Sequence, residues 1–261
     1  MGTFEPRTYR RDMAGQDLVA FQTAQGETDL HIQVGLQGGN TREAALGHLK
    51  QMARETIRQA RRHVQAEILL RRGFGTSLEP LPDRPGAPEL IRQMEQAARR
   101  AGVGPMAAVA GAIAEAVGRA LLAECDEVIV ENGGDVFLCT RRQRTVAVYA
   151  GRSPLSNRVG VAIPATQTVG ICTSSGMVGH SLSTGKADAA LIVADDVAFA
   201  DAAATALGNR ITTASDIEPA IGWASQLAGV RQALAICGGA MGVWGQFEIE
   251  KLEPQLQTPP G

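Results

Sequence analysis

Residues 169–208 read VGICTSSGMVGHSLSTGKADAALIVADDVAFADAAATALG. A hydroxyl-and-thiol run, a histidine, a Gly-Lys turn, an apolar strand and an acidic, alanine-rich helix stand side by side in this stretch. Residues 189–194 (AALIVA) are continuously apolar, short and bounded by polar residues, the pattern of a strand buried on both faces. Asp195 and Asp196 offer a helix N-cap, residues 197–207 continue at helical spacing, and Gly208-Asn209 supplies a left-handed stop. Asp201 and Thr205 lie one helical turn apart, so their oxygens project from one face. A carboxylate and a hydroxyl placed in this way can ligate a hard cation such as Mg²⁺. They equally suit a partly solvated helix edge, whose early carboxylate the macrodipole favours.

Upstream, residues 127–131 (EVIVE) form a strand that runs into Asn132-Gly133-Gly134-Asp135. Two adjacent glycines give a backbone able to take positive φ and approach a ligand, or simply a tight turn or bulge. Residues 136–140 and 145–150 read as a hairpin around Arg141–Arg144, followed by a strand over 158–163. Residues 105–123 (PMAAVAGAIAEAVGRALLA) open on proline and are apolar nearly all round, as in a buried central helix. Gly111 and Gly118 share a face there, and Glu115 and Arg119 are placed to pair.

Nearer the N-terminus, 17–24 and 28–34 alternate as a hairpin around Gly26, and a long helix follows from a cap at Asn40 or Thr41. Leu46, Leu49, Met52, Ala53, Ile57, Ala60 and Val64 make its apolar stripe, with Arg54, Arg58, Arg61 and Arg62 mostly off it; such a run reads as a solvated face, with phosphate binding the less favoured alternative. A proline-rich loop (74–87) precedes a helix over 88–100. Beyond the opening stretch, 215–228 is an amphipathic helix capped by Ser215, and 233–237 with 241–252 form a last hairpin. Hairpins mixed with helix blocks, without βαβ alternation, predict an α+β fold, a single domain over 1–252 and a disordered tail over 253–261.

Composition narrows the function. At 261 residues with 44% hydrophobic and 20% charged residues, the chain has the composition of a soluble globular protein. A net charge of −2 and 4% aromatics argue against nucleic acid as a partner. No apolar run reaches membrane-spanning length and the N-terminus lacks a signal-peptide core, so a cytoplasmic protein with no membrane partner is expected. The four cysteines have no CxxC or zinc spacing and are expected to be reduced. Cys172, beside two serines and a threonine and eight residues before His180, could serve as a nucleophile or sulfur relay; alternatively it is an inert strand cysteine.

P-loop, GxSxG, HExxH and GxGxxG motifs are absent. The glycine-containing helix at 105–122, ENGGD at 131–135 and TSSG…H…TG…ADAAAT together resemble the ApbE family of flavin transferases. That family uses Mg²⁺ and FAD to attach FMN to a Ser or Thr of a protein substrate. The chain is most similar to an ApbE-like family of anaerobic prokaryotes for which a link to sulfur assimilation has been suggested. The resemblance implies an ApbE-like, T-fold-like architecture and a flavin nucleotide (FAD or FMN) as ligand. It matches Asp201 and Thr205 to the Mg²⁺ ligands of ADxxxT. It matches Asn132, Gly133, Gly134 and Asp135 to a flavin-site turn, and Thr173, Ser174, Ser175 and Gly176 to a TSG segment near the flavin. His180 matches the catalytic histidine that follows. Two departures bear on transfer. The family's Lys-Gly-(aromatic)-Ala-x-Asp run reads AGAIAE at 110–115, and its His-x-x-Asp-Pro-x-Thr-Gly is shortened to His180–Gly185 without Asp or Pro. Losing a cation and a carboxylate weakens charge neutralisation and acid–base work at a phosphate. The alternative implied is a non-transferase relative acting as a binding or thiol-relay component. The oligomeric state is left open.

Overall fold

The computed structural model describes residues 18–36, 42–175 and 185–253. Strands β1 (Val19–Gln25), β2 (Thr28–Gly35), β3 (Glu127–Asn132), β4 (Asp135–Thr140), β7 (Gln167–Ser174), β8 (Ala189–Ala194), β9 (Val230–Cys237) and β10 (Ala240–Gly245) form one sheet in that order. Every neighbouring pair in it is antiparallel. Strands β5 (Arg144–Ala147), β6 (Val159–Ile163) and β11 (Glu248–Lys251) make a second, three-stranded sheet. The helices are α1 (Arg42–Leu70), α2 (Glu89–Ala101), α3 (Val109–Leu121), α4 (Val197–Asn209) and α5 (Ile217–Ala224). The architecture is α+β, as the sequence predicts.

Strand periodicity divides the core in two. Leu30, Ile32, Val128, Val130, Phe137, Cys172, Ile192 and Ala235 face the helices and pack with Ile57, Ile91, Val117 and Phe199. The alternate residues Ile129, Leu138, Val169, Ile171, Leu191, Val193 and Ile236 pack against Val161 and Ile163 of the small sheet. A sheet covered on both faces explains why 189–194 is apolar without alternation: all six residues are buried.

The small helical residues set how closely the layers approach. A Cβ at Gly118 would collide with the Phe137 ring, and one at Gly111 would meet the Val197 carbonyl and Asp201, so α3 presses on the sheet through one glycine and on α4 through the other. Gly102 closes α2 in the left-handed conformation (φ 73).

Several boundaries differ from the sequence reading. Residues 136–140 and 145–150 are not a hairpin: β4 lies between β3 and β7, while β5 pairs with β6 in the other sheet. The cause is burial, since β4 needs strand neighbours on both sides whereas β5 alternates half-buried and exposed residues. The helix expected from Pro105 starts as a 3-10 turn over Pro105–Ala108 before α3. α4 runs through Asn209 and ends at Arg210 in right-handed geometry, not at a left-handed Gly208. Arg210 there stacks over the Trp223 ring at 3.5 Å. Thr213 rather than Ser215 caps the 3-10 turn Ala214–Asp216 that leads into α5, in a capping box with Asp216. Finally, 241–252 is two strands, because Gly245 (φ 138) turns the chain from β10 to β11 in the other sheet. The tail beyond Glu253 lies outside the described residues.

Candidate functional site

The β3–β4 connection is a two-residue hairpin. Asn132 pairs with Asp135, and Gly133 and Gly134 between them have φ of 73° and 126°. The second value is one that residues with a Cβ rarely adopt, which accounts for glycine at this position. Glu131 holds the turn by accepting the Gly133 N–H at 2.8 Å. Asn132 Nδ2 donates to the Ala110 carbonyl at 3.0 Å, tying the turn to the first turn of α3.

Across the ladder, Asp135 stands opposite Cys172, and Thr173 N–H donates to the Gly134 carbonyl at 3.2 Å. The turn residues 132–135 and the segment 173–175 therefore converge at one end of the sheet. Ser174 is buried there, and its hydroxyl has no hydrogen-bond partner among the described residues. Gly176 and His180 lie outside the described residues.

α4 runs along β7 on the helical side. Val197 packs on Gly170 at one end and Gly208 packs on Ser174 at the other, with Asp201 and buried Thr205 between these contacts. The helix starts where its first N–H groups find acceptors. Asp196 accepts from Phe199 N–H at 2.9 Å, and Glu115 of α3 accepts from Val197 N–H at 3.0 Å. Glu115 also takes the Arg119 guanidinium at 2.7 Å, the pairing the i,i+4 spacing predicts. Its second role, fixing α4, had no signal in the sequence because 82 residues separate the partners.

Asp201 Oδ2 accepts the Gly111 N–H at 2.8 Å. Burial pushes the Asp201 carboxyl well above its ordinary range, and the nearby Asp135 carboxylate pushes it further, against the Gly111 and Ala110 N–H groups that favour its charged form. A carboxylate so placed, with a second one nearby, makes a negative site that a cation would stabilise.

Among the described residues no group of three His, Cys, Asp or Glu side chains is arranged to hold a metal. Mg²⁺ does not require such a cage, since it keeps waters and takes one or two carboxylates together with ligand phosphates. Asp201 with Asp135 nearby, and Thr205 one helical turn along α4, fit that chemistry.

Cys172 does not fit the role of a nucleophile. It is fully buried, its thiol donates to the Val197 carbonyl at 3.5 Å, and its pKa is raised well above the ordinary thiol value. Burial is the main cause, and Asp135 and Asp201 add negative charge that opposes a thiolate. The reading of Cys172 as an accessible nucleophile or sulfur relay is therefore corrected: its side chain lies under the site as packing.

Beside these residues opens a cleft of about 430 Å³ between the β1–β2 turn, α1 and the start of α3. Its walls are mainly apolar (Val64, Ile68, Met106, Val109, Ile113), and Asn132 and Ala110 connect it to the hairpin turn. Arg61 reaches into it from α1. The solvated-face reading of the α1 arginines fits Arg54, Arg58 and Arg62, which are exposed, and misses Arg61. No described helix is by itself long and apolar enough to cross a membrane.

This fold and this ordered set of residues define an ApbE-like protein. The family model described as "AbpE bacteria" matches residues 10–239, and the chain belongs to that family. A "UPF0280 protein" of Methanosarcina acetivorans is 43% identical over 196 residues, covering 74% of this chain and 78% of that protein. Another, from Methanospirillum hungatei, is 46% identical over 162 residues, covering 61% and 66%. Among solved structures, the ApbE protein of Thermotoga maritima matches with a TM-score of 0.52 at 15% identity, covering 86% of this chain and 96% of that one. The fold is shared at that distance.

Proposed function

We propose that the protein binds a flavin nucleotide, FAD or FMN, together with Mg²⁺, at the end of the sheet where the 132–135 turn, residues 173–175 and Asp201 meet. The observation that carries this reading is the Asp201 carboxylate, oriented by the Gly111 N–H with Asp135 nearby, an acidic pair whose charge a divalent cation would offset. Mg²⁺ would supply charge neutralisation at a ligand phosphate, with Asp201 and Thr205 holding it. The glycine turn would let the backbone come close to the ligand, and the apolar walls of the neighbouring cleft would pack against part of it.

Binding without transfer is the second reading. It is favoured by α3, where 110–115 carry no cation and Glu115 is occupied with Val197 and Arg119. In transfer, a target Ser or Thr oxygen would bond to the flavin-side phosphorus of FAD. The bond to the AMP-side oxygen would break, AMP would leave, and the hydroxyl proton would pass to a carboxylate. Titrating purified protein with FAD with and without Mg²⁺, while following AMP release, tests both readings. Mg²⁺-tightened binding supports the site, and AMP release coupled to flavin attachment separates transfer from binding alone.

A further inference from the structure

We propose that Arg61 is the anion-binding residue of the cleft between α1, α3 and the β1–β2 turn. It takes the phosphate of a nucleotide, and Glu27 is the partner that phosphate displaces. The identity of the ligand as a flavin rests on the reading above; the assignment of Arg61 does not.

The cleft is half-open, of small-molecule volume and mostly apolar-walled, and Arg61 is the one cation among its described lining residues. The guanidinium is held rather than waving in solvent. Arg61 is only 17% exposed, donates to Thr28 Oγ1 at 3.1 Å and lies under Gly26, where a Cβ would collide with it. Its acidic partner is the opposite: Glu27 is 88% exposed on the turn and pairs with Arg61 from the solvent side. An ion pair whose acidic member is in water is weakly held and readily exchanged. A phosphate can replace that carboxylate with two charge-assisted hydrogen bonds to the guanidinium fork. Location adds the second argument. Asn132 and Ala110 line this cleft, bond to each other, and belong to the turns that carry Asp135 and hold Asp201. Leu30 pairs with Asn132, so the β1–β2 turn over Arg61 lies at the same end of the sheet as the β3–β4 turn, and Arg61 supplies positive charge there.

The test compares riboflavin, which has no phosphate, with FMN, using flavin fluorescence quenching on wild type, Arg61→Gln and Glu27→Gln, with folding checked by circular dichroism. Arg61→Gln should weaken FMN about tenfold and leave riboflavin unchanged, and Glu27→Gln should tighten FMN several-fold. Equal losses for both flavins in Arg61→Gln, or weaker FMN binding in Glu27→Gln, would overturn the assignment. If wild type binds neither flavin, the flavin reading fails on its own, and inorganic pyrophosphate then tests Arg61. Thermal protection by pyrophosphate that disappears in Arg61→Gln sustains the assignment; no protection of wild type overturns it.

Discussion

Asp201 accepts a hydrogen bond from the Gly111 N–H at 2.8 Å, so the carboxylate on α4 is oriented by the backbone of α3. The contact depends on Gly111 having no side chain. A Cβ there would lie 2.8 Å from Asp201 Cβ and 2.5 Å from the Val197 carbonyl oxygen. Gly111→Ala should therefore destabilise the protein by about 1–3 kcal/mol, despite the ~1 kcal/mol that alanine gains in helix propensity. Gly47→Ala is the control, since it sits in α1 with nothing within 4 Å and should be neutral to slightly stabilising. Thermal or urea unfolding of the two variants measures the difference.

Glu115 positions α4 by capping Val197, and so acts on Asp201 at one remove. Glu115→Ala should cost about 1–3 kcal/mol, because a buried N–H is left without its acceptor. Glu115→Gln keeps an acceptor and should recover most of that stability. Mg²⁺ affinity measured by calorimetry should follow the same order, wild type above Gln above Ala, without loss of helical content.

The Thr212–Asp216 turn carries an acid-sensitive contribution. Thr212 Oγ1 and the Thr212 and Thr213 N–H groups all donate to Asp216, and these bonds hold its carboxyl down at about 2. A depressed folded-state value means that stability is present above the ordinary carboxylate range and is lost as pH falls through about 2. Asp216→Asn should lower stability at neutral pH and flatten the unfolding profile between roughly pH 4 and 2. Urea unfolding across that window reads the slope.

Thiol alkylation tests the corrected reading of Cys172. Cys139 and Cys237 are half-buried and should label in the native protein, whereas Cys125, pushed up to about 11 by burial, and Cys172 should label only after unfolding. Cys172→Ala should cost ~1 kcal/mol of packing and leave ligand binding unchanged. Fast native labelling of Cys172, located by mass spectrometry, would restore the thiol-relay reading.

Local chemistry in the sequence and long-range geometry in the fold divided the reading between them. The acidic cap of α4, the apolar run of β8 and the glycine turn at 133–134 were legible because each depends on neighbours within a few residues. The placement of β5 and β11 was not, because their partners are chosen by which face of the large sheet still needs covering. The site followed the same division. The spacing of Asp201 and Thr205 and the ENGGD turn suggested donors. The Gly111 N–H, the Glu115 cap and Arg61 beneath the β1–β2 turn are contacts between distant segments. The arginines of α1 look alike in sequence, and only the turn carrying Gly26 and Glu27 distinguishes Arg61 from its exposed neighbours.

Asp201 is proposed to link a divalent cation to the ligand. Because burial and Asp135 raise its pKa, the folded protein without metal should lose stability as pH rises from the ordinary carboxylate range through the raised value. Asp201→Asn should remove that loss while keeping an acceptor for Gly111. The decisive measurement is FAD affinity with and without Mg²⁺ at neutral pH, in wild type and Asp201→Asn, by fluorescence titration. Mg²⁺ should tighten FAD at least tenfold in wild type and not at all in the variant. Equal Mg²⁺ dependence in both proteins would contradict that role of Asp201.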